Sequence, residues 1–515
     1  MSNNNLRDFI GNAFQLTAGA AIAQNALVEI AADGKAYQCA CSDMAAVANL
    51  GQIVAPTQLT SNVNANLNSN ARIGSCQAAD GSIYMTIPGA AGNGLSVAHY
   101  SPAGALINSV VLSASSDAAV REDLYALANG NVACVYHIVN EGVYYALMTS
   151  QLSIVTNVLV ASLASNSFAA LSDSAKMSND SVVIVYNDSS ANIHGVIYNN
   201  AGSLAVSATS LRSGLSGSTQ IVSCIQLSNT DIALVYGRGD TTPGACFVAS
   251  YSAAALAPLV GSVALANQTQ VIDGAICVAV VTGYIGVAYH TGSNTWKFAV
   301  LDNALSLQGA QGSLAAGTSG KTAVKLISDG TANFYLSNTV TSSLYKIPIT
   351  GSAITATIAV PGTWPVSNGD AFYENGFIFF LNDGGAGAAP VAYAVYSIAA
   401  AAWVTPKTTV GTTPTTSSEG ASAISLGDFG VLIAYEYITP AGTNFWVGKY
   451  IDSAIIGVAR AAASTGNPVT VAQGTNIYTM LPLRGSPSKP FDHSATNLVG
   501  NTGAMLASNA LLKGM

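Results

Sequence analysis

The chain has 515 residues, of which 50% are hydrophobic and only 8% charged, against about a quarter charged in an ordinary globular domain. This is ample for a large core and more than one domain, while a net charge of −8 without any Lys/Arg cluster excludes a nucleic-acid binder, which needs a basic stripe to neutralise phosphates. The mean hydropathy of +0.40 does not signal a membrane helix: no apolar run reaches the ~18 residues of a span, and the stretch that comes nearest, 275–289, is broken by Thr282, Gly283 and Gly286.

Met1-Ser2-Asn3-Asn4-Asn5 lacks a basic region followed by an apolar stretch, so no secretory signal is expected and the protein reads as soluble. Residues 20–30 then run as a strand into an Asp33-Gly34 turn and a second strand ending at Tyr37. From about residue 72 the chain becomes periodic. The aromatics Tyr84, Tyr136, Tyr186, Tyr236, Tyr289, Tyr335, Phe380 and Tyr435 recur at intervals of 52, 50, 50, 53, 46, 45 and 55 residues. Each closes a short apolar run, as in Val132-Ala133-Cys134-Val135-Tyr136 or Val182-Val183-Ile184-Val185-Tyr186. Such runs are too short for a globular helix and suit a strand buried on both faces.

A second strand follows each anchor: 95–100, 142–148, 194–198, 245–251, 296–301, 343–347, 391–396 and 445–450. Third runs such as 107–112 and 353–358, and a fourth before the next anchor, as in 219–224, complete a unit of four strands. Four strands in about fifty residues make one propeller blade, which buries its faces only against its neighbours. The expected fold is all-β, a seven- or eight-bladed propeller. A face so poor in charge also gives little repulsion between copies, which favours life in a permanent assembly.

No catalytic pattern appears. There is no His-Glu-x-x-His, no Gly-x-Ser-x-Gly and no phosphate-binding loop; Gly317-Thr318-Ser319-Gly320-Lys321 lacks both its first Gly and the closing Ser or Thr. Cys39, Cys41, Cys76, Cys134, Cys224, Cys246 and Cys277 have no metal-ligand spacing and read as small buried residues of a chain made in a reducing compartment. His99, His137, His194, His290 and His493 lie in different units, and His137 and His290 directly follow anchor tyrosines, so they repeat a structural position. Gly292-Ser293-Asn294-Thr295-Trp296 resembles a degraded copy of the Asp-containing turn box of sialidase-type propellers, without its Asp and second Gly, and reads as a turn with a packed Trp. Arg238-Gly239-Asp240 is what a polar hairpin tip takes anyway. Asp and Glu total 25, mostly in turns such as Ser328-Asp329-Gly330, so the facing carboxylates of a glycosidase are not expected.

After the last unit, Ile455-Ile456-Gly457-Val458-Ala459 is followed by Gly466-Asn467-Pro468-Val469-Thr470-Val471. Together with Val28-Glu29-Ile30-Ala31-Ala32-Asp33-Gly34, these stretches resemble the two halves of small β modules in tailed-bacteriophage virion proteins. The closing segments Phe491-Asp492-His493, Gly500-Asn501-Thr502-Gly503 and 510–514 are similar to C-terminal tails of fibre-type virion proteins. The resemblance covers about a hundred residues and carries no catalytic, cofactor-binding or metal residue.

Together with the repeat, it implies three parts: an N-terminal β segment, 1–71, forming half of an assembly module; a propeller, 72–451; and a C-terminal segment and tail, 452–515, forming the other half. The function implied is a non-enzymatic virion structural protein made in the host bacterial cytoplasm, first a tail fibre or nozzle component and second a head decoration or head fibre. Its expected partners are other virion proteins, further copies of itself and a host-surface glycan or receptor, with no nucleic acid, membrane insertion or cofactor. The rival from another class is a glycan-binding or glycan-degrading propeller, which a convergent Asp/Glu pair with aromatics on one propeller face would favour.

Overall fold

The computed structural model describes most of residues 74–451, together with 13–18, 21, 27–30, 36–38, 54–63, 455–459, 464–465 and 467–472. All regular structure among them is β. Seven successive antiparallel sheets of four strands each take their strands in chain order, and an eighth closes the ring. Blades 1 to 7 span residues 75–113, 119–162, 172–212, 220–265, 271–315, 324–359 and 369–409. The fold is an eight-bladed β-propeller.

Blade 8 is built differently. Its inner three strands are Ser417–Ser425, Gly430–Thr439 and Gly442–Ile451, and its outer strand is Val54–Val63 from the N-terminal part of the chain. Val447 pairs with Thr57 and Lys449 with Val54. This corrects the expected boundary at residue 71: residues 54–63 belong to the propeller, and they pin the last blade to a segment that precedes the first. A ring closed by a strand from the opposite end of the chain cannot open at that seam without breaking a sheet. The two-residue strand Gly385–Ala386, from the blade 7 hairpin, also pairs with the inner strand of blade 8.

The remaining strands from the two chain ends form one five-stranded sheet, in the order Ala13–Thr17, Pro468–Ala472, Ile455–Ala459, Leu27–Ile30, Ala36–Gln38. Leu16 pairs with Val469 and Val28 with Gly457. The two C-terminal strands join Ala13–Thr17 on one side to Leu27–Ile30 on the other, and Ala36–Gln38 pairs with Leu27–Ile30. The Asp33-Gly34 turn and the tail from 473 onward lie outside the described residues.

Packing inside the ring follows from strand alternation. The second strand of blade 2, Val132–Ile138, is buried at every position. Val132, Cys134, Tyr136 and Ile138 meet blade 1 residues Tyr84, Val97 and Leu112. Ala133 and Val135 meet blade 3 residues Val182, Ile184 and Tyr198. Because successive side chains point to opposite faces, one strand serves two inter-blade layers and must be apolar throughout.

The anchor aromatics from Tyr84 to Phe380 are buried, but they are not all one position. Tyr136, Tyr186, Tyr236 and Tyr289 each pack toward the preceding blade. Tyr136, Tyr186 and Tyr289 stand six residues after the left-handed turn residues Gly130, Asp180 and Gly283. Tyr84 stands three after Gly81 and Tyr335 five after Gly330. An odd offset in a strand reverses the face, and these two tyrosines pack toward the following blade instead. Several hydroxyls then reach the outer strand region of their own blade: Tyr136 to Asn157 at 2.8 Å, Tyr236 to Ser262 at 2.8 Å and Tyr289 to Gln311 at 2.9 Å.

The turn between third and outer strands repeats a second device. Leu152, Leu256 and Leu305 have φ of 58°, 54° and 60°, where blade 3 has Gly202 at 82°. A left-handed conformation costs an L-residue about 1–2 kcal/mol. Each leucine nevertheless plugs the layer toward the preceding blade, Leu256 lying among Ile193, Ile197 and Leu211. The fit is tight, since a Cβ on Gly195 would lie 3.0 Å from Leu256 Cδ1. Burial outweighs strain here, because removing a buried leucine costs about 2–5 kcal/mol. Leu256→Ala should lose that amount in denaturant unfolding. Leu256→Gly should lose about 1 kcal/mol less, because glycine relieves the strain. An alanine variant more stable than the glycine variant would contradict the plug account.

Candidate functional site

The axis of the ring is where sequence reasoning missed most. The inner strands carry acids, not only turn residues: Glu122 and Asp123 in Ala119–Ala126, Asp173 in Ser172–Lys176 and Asp370 in Gly369–Glu374. The signal was present in Arg121-Glu122-Asp123 and Ser172-Asp173-Ser174, polar runs that begin otherwise apolar units.

Each acid stitches one blade to the next. Glu122 of blade 2 is buried, and its Oε2 lies 2.6 Å from Thr86 Oγ1 of blade 1, which accepts the Gly74 amide at 2.7 Å. The backbones approach closely: a Cβ on Gly74 would lie 2.9 Å from the Glu122 carbonyl oxygen. Asp123 accepts from Ser174 Oγ of blade 3 at 2.6 Å. Asp173 accepts from Ser223 Oγ at 2.7 Å and from the Cys224 amide at 2.8 Å in blade 4. Lys325 of blade 6 pairs with Asp370 of blade 7 at 3.3 Å.

This geometry is not that of two carboxylates facing one substrate. Glu122 and Asp123 are sequence neighbours, so alternation sends one toward blade 1 and the other toward blade 3. Burial, aided by the nearby Asp123 charge and opposed by the Thr86 hydrogen bond, raises the Glu122 carboxyl to about 8. The group is therefore neutral at pH 7, able to donate its proton to Thr86 Oγ1 while the Thr86 hydroxyl turns to Gly74 O at 3.3 Å.

The described histidines lie in three different blades. His99 is buried and stacked on Tyr84 at 4.6 Å, and burial lowers its pKa. His137 is buried in blade 2. His194 lies 2.9 Å from Asp188 and stacks on Tyr186. The side chains of His290 and His493 lie outside the described residues, as do those of Cys39, Cys41 and Cys277. Cys76, Cys134, Cys224 and Cys246 are thiols and not disulfides. Burial pushes Cys76 up to about 12 and raises Cys134 and Cys246 too, which leaves them protonated and unreactive.

Trp296, in the strand Thr295–Asp302, is buried among Phe298, Leu314 and Leu326. Residues 292–294, 317–321 and the Gly239-Asp240 pair lie outside the described residues. The Asp329 turn is self-contained. Asp329 Oδ1 accepts the amides of Thr331, Ala332 and Asn333 at 2.8–2.9 Å, and these hydrogen bonds lower its pKa against the opposing effect of burial, itself the largest single influence. Among the described residues, no group of three or more His, Cys, Asp or Glu is placed to hold a metal ion.

No protein family matches the chain, and no curated protein matches it in sequence. Solved structures similar to it include BamB from Moraxella catarrhalis, 12% identical over 76% of this chain and 99% of that one, with a TM-score of 0.47. The BP39L lectin from Burkholderia pseudomallei is 11% identical over 67% of this chain and 99% of its own, with a TM-score of 0.44. A virginiamycin B lyase from Staphylococcus aureus is 9% identical over 76% and 98%, with a TM-score of 0.37. At these values the likeness carries no functional argument; the propeller assignment stands on the sheet order and the inter-blade packing.

Proposed function

We propose that this chain is a non-enzymatic structural protein of a tailed-phage particle, first of all a tail component of fibre or nozzle type. In this reading the five-stranded sheet of chain ends attaches the protein to its neighbours, and the propeller presents its connecting loops to a host surface or to another virion protein. One observation carries it. The two sequence stretches that resemble phage virion modules, around Val28 and around Ile455–Ala459 and Val469, are strands of the same sheet, with the whole propeller inserted between them. Two further features support it: axial acids committed to joining blades, and a surface almost without charge.

The test is to purify particles from the source culture and look for the chain. Peptides of this protein in the washed particle fraction, with immunogold label on the tail, are the expected result; label on the head would move the assignment to a decoration protein. A chain absent from particles would sink the reading. So would release of oligosaccharide from host capsule or lipopolysaccharide by the purified protein, abolished by one Asp or Glu substitution, which would put the glycan-degrading rival in its place.

A further inference from the structure

Opposite the anchor aromatic of each of the first four blades, the third strand sets a second ring. His99 stacks on Tyr84, Tyr144 on Tyr136, His194 on Tyr186 and Phe247 on Tyr236, with ring centres 4.6, 5.0, 5.6 and 5.1 Å apart. Packing here calls for an aromatic ring and not for a histidine. Tyr144 and His194 place their polar atoms on Glu141 at 2.8 Å and Asp188 at 2.9 Å, and Phe247 has none to place. His99 is the exception: it is 2% exposed, and neither ring nitrogen has a hydrogen-bond partner.

Tyr84, His99 and Asn108 form one row across blade 1, each opposite the next in the ladder. The two ends of the row grip the turn of blade 2 at 149–153. Tyr84 Oη donates to the Ser150 carbonyl at 2.8 Å, and Asn108 Nδ2 donates to the Gln151 carbonyl at 2.7 Å. The next residue, Leu152, is the left-handed plug buried in the same layer as Tyr84 and Val97. The middle of this clamp is a polar ring that makes no hydrogen bond, which is unfavourable in a buried place.

We propose that the clamp is an acid-sensitive catch between blades 1 and 2, with His99 as the group that takes the proton. An unpaired imidazolium is far harder to bury than a neutral ring, so a proton on His99 draws water between the row and the turn. The two flanking hydrogen bonds and the Leu152 plug lie in that path. Blade 1 then loosens from the turn, while the axial end of the seam stays joined through Glu122 and Thr86.

The surroundings set the direction. Burial lowers the pKa of His99, opposed by Asp80 and by the neighbouring Asn108 side chain. Asp80 lies in the turn before the anchor strand, where it accepts the Ser82 amide at 2.9 Å. From blade 2, the turn at 149–153 brings no ionisable side chain, and Glu141 is engaged by Ser115 and Tyr144. Cys76, Tyr84, Glu122, Cys134, Tyr136 and Tyr144 keep their protons at neutral pH and below. With its folded pKa below the ordinary 6.5, the closed catch refuses a proton that the open form takes. Its stability is therefore complete above that value and is lost as pH falls.

The inference does not depend on the virion reading. It is tested by hydrogen exchange of the full chain at about pH 7.5 and about pH 5, corrected for the intrinsic pH dependence of exchange. The amides of Thr149 and Leu152, both hydrogen-bonded within the turn, should exchange about tenfold faster at the lower pH. Blade 4, residues 220–265, has no histidine and should not change. His99→Phe, the residue that blade 4 already uses as Phe247, should keep the protection at the higher pH and abolish the acid loss. Should that variant not fold, His99→Gln should do the same. A wild-type turn that stays protected in acid overturns the proposal without any variant. So does a loss spread evenly over the blades, or one that persists in either folded variant.

Discussion

Glu122→Gln should leave stability unchanged near pH 4.5 and raise it by on the order of 4 kcal/mol at pH 8. The sign follows from which state holds the proton. Burial raises the folded carboxyl to about 8 from its ordinary 4.5, so between those values the folded chain keeps a proton that the unfolded chain has released. Stability contributed by the neutral group is complete below about 4.5 and falls as pH rises toward 8. Glutamine keeps the shape and a hydrogen bond to Thr86 but cannot ionise.

The groups around Glu122 act in the same window only weakly. Cys76 and Cys134 stay protonated, Tyr136 opposite it in the ladder titrates far above, and Asp123 is already turned to Ser174. Acids held low, such as Asp329, lose their stabilising effect only as pH falls, and they cancel when variant and parent are compared at one pH. Urea unfolding at pH 5 and pH 8 gives the answer. A variant-to-parent difference that does not change between the two would show that Glu122 is ionised in the folded ring.

The second large effect concerns the chain ends, which the fold uses twice. Truncation after Ile451 removes Ile455–Ala459 and Pro468–Ala472, the middle of the five-stranded sheet. The strands around Leu16 and Val28 then have no sheet to join, since a lone hairpin is marginal in water. The truncated protein should aggregate or fail to assemble while the propeller still folds.

Deletion of residues 1–66 should do worse. It removes Val54–Val63 as well, leaving Gly442–Ile451 as a bare edge and the ring unlatched. That loss should amount to on the order of 5 kcal/mol or more, comparable with the whole stability of an ordinary domain. Thermal unfolding followed by circular dichroism distinguishes the two: a retained cooperative transition for the first, and a broadened or much lowered one for the second. Equal behaviour would mean that the N-terminal strand is no latch.

How much of this the sequence could reveal depended on where each residue's partner lies. The second and third strands of each blade were legible because burial on both faces forces a continuous apolar run, as in Val132–Ile138, and a turn follows at fixed distance. The period was legible for the same reason. The face of each anchor was not. Tyr84 and Tyr335 keep roughly the right spacing, but an odd shift from the turn reverses them, and spacing alone does not resolve one residue in fifty.

Val54–Val63 was illegible as a blade strand. It reads as a polar edge containing Pro56, and its partner strand lies nearly four hundred residues later in the chain. The axial acids were visible as residues, but their roles were not, because Glu122 meets Thr86 and Asp173 meets Ser223 only when separate blades come together. The common sheet of the two ends was foreshadowed by paired, individually incomplete hairpins, which neither end could bury alone.

The most direct measurement is a cryo-EM reconstruction of the particle fraction that contains the chain. The account predicts an eight-lobed ring at the tail, joined to the body of the particle through a small sheet where the two chain ends meet. Particles with no such density, and the chain recovered only as free protein, would contradict it.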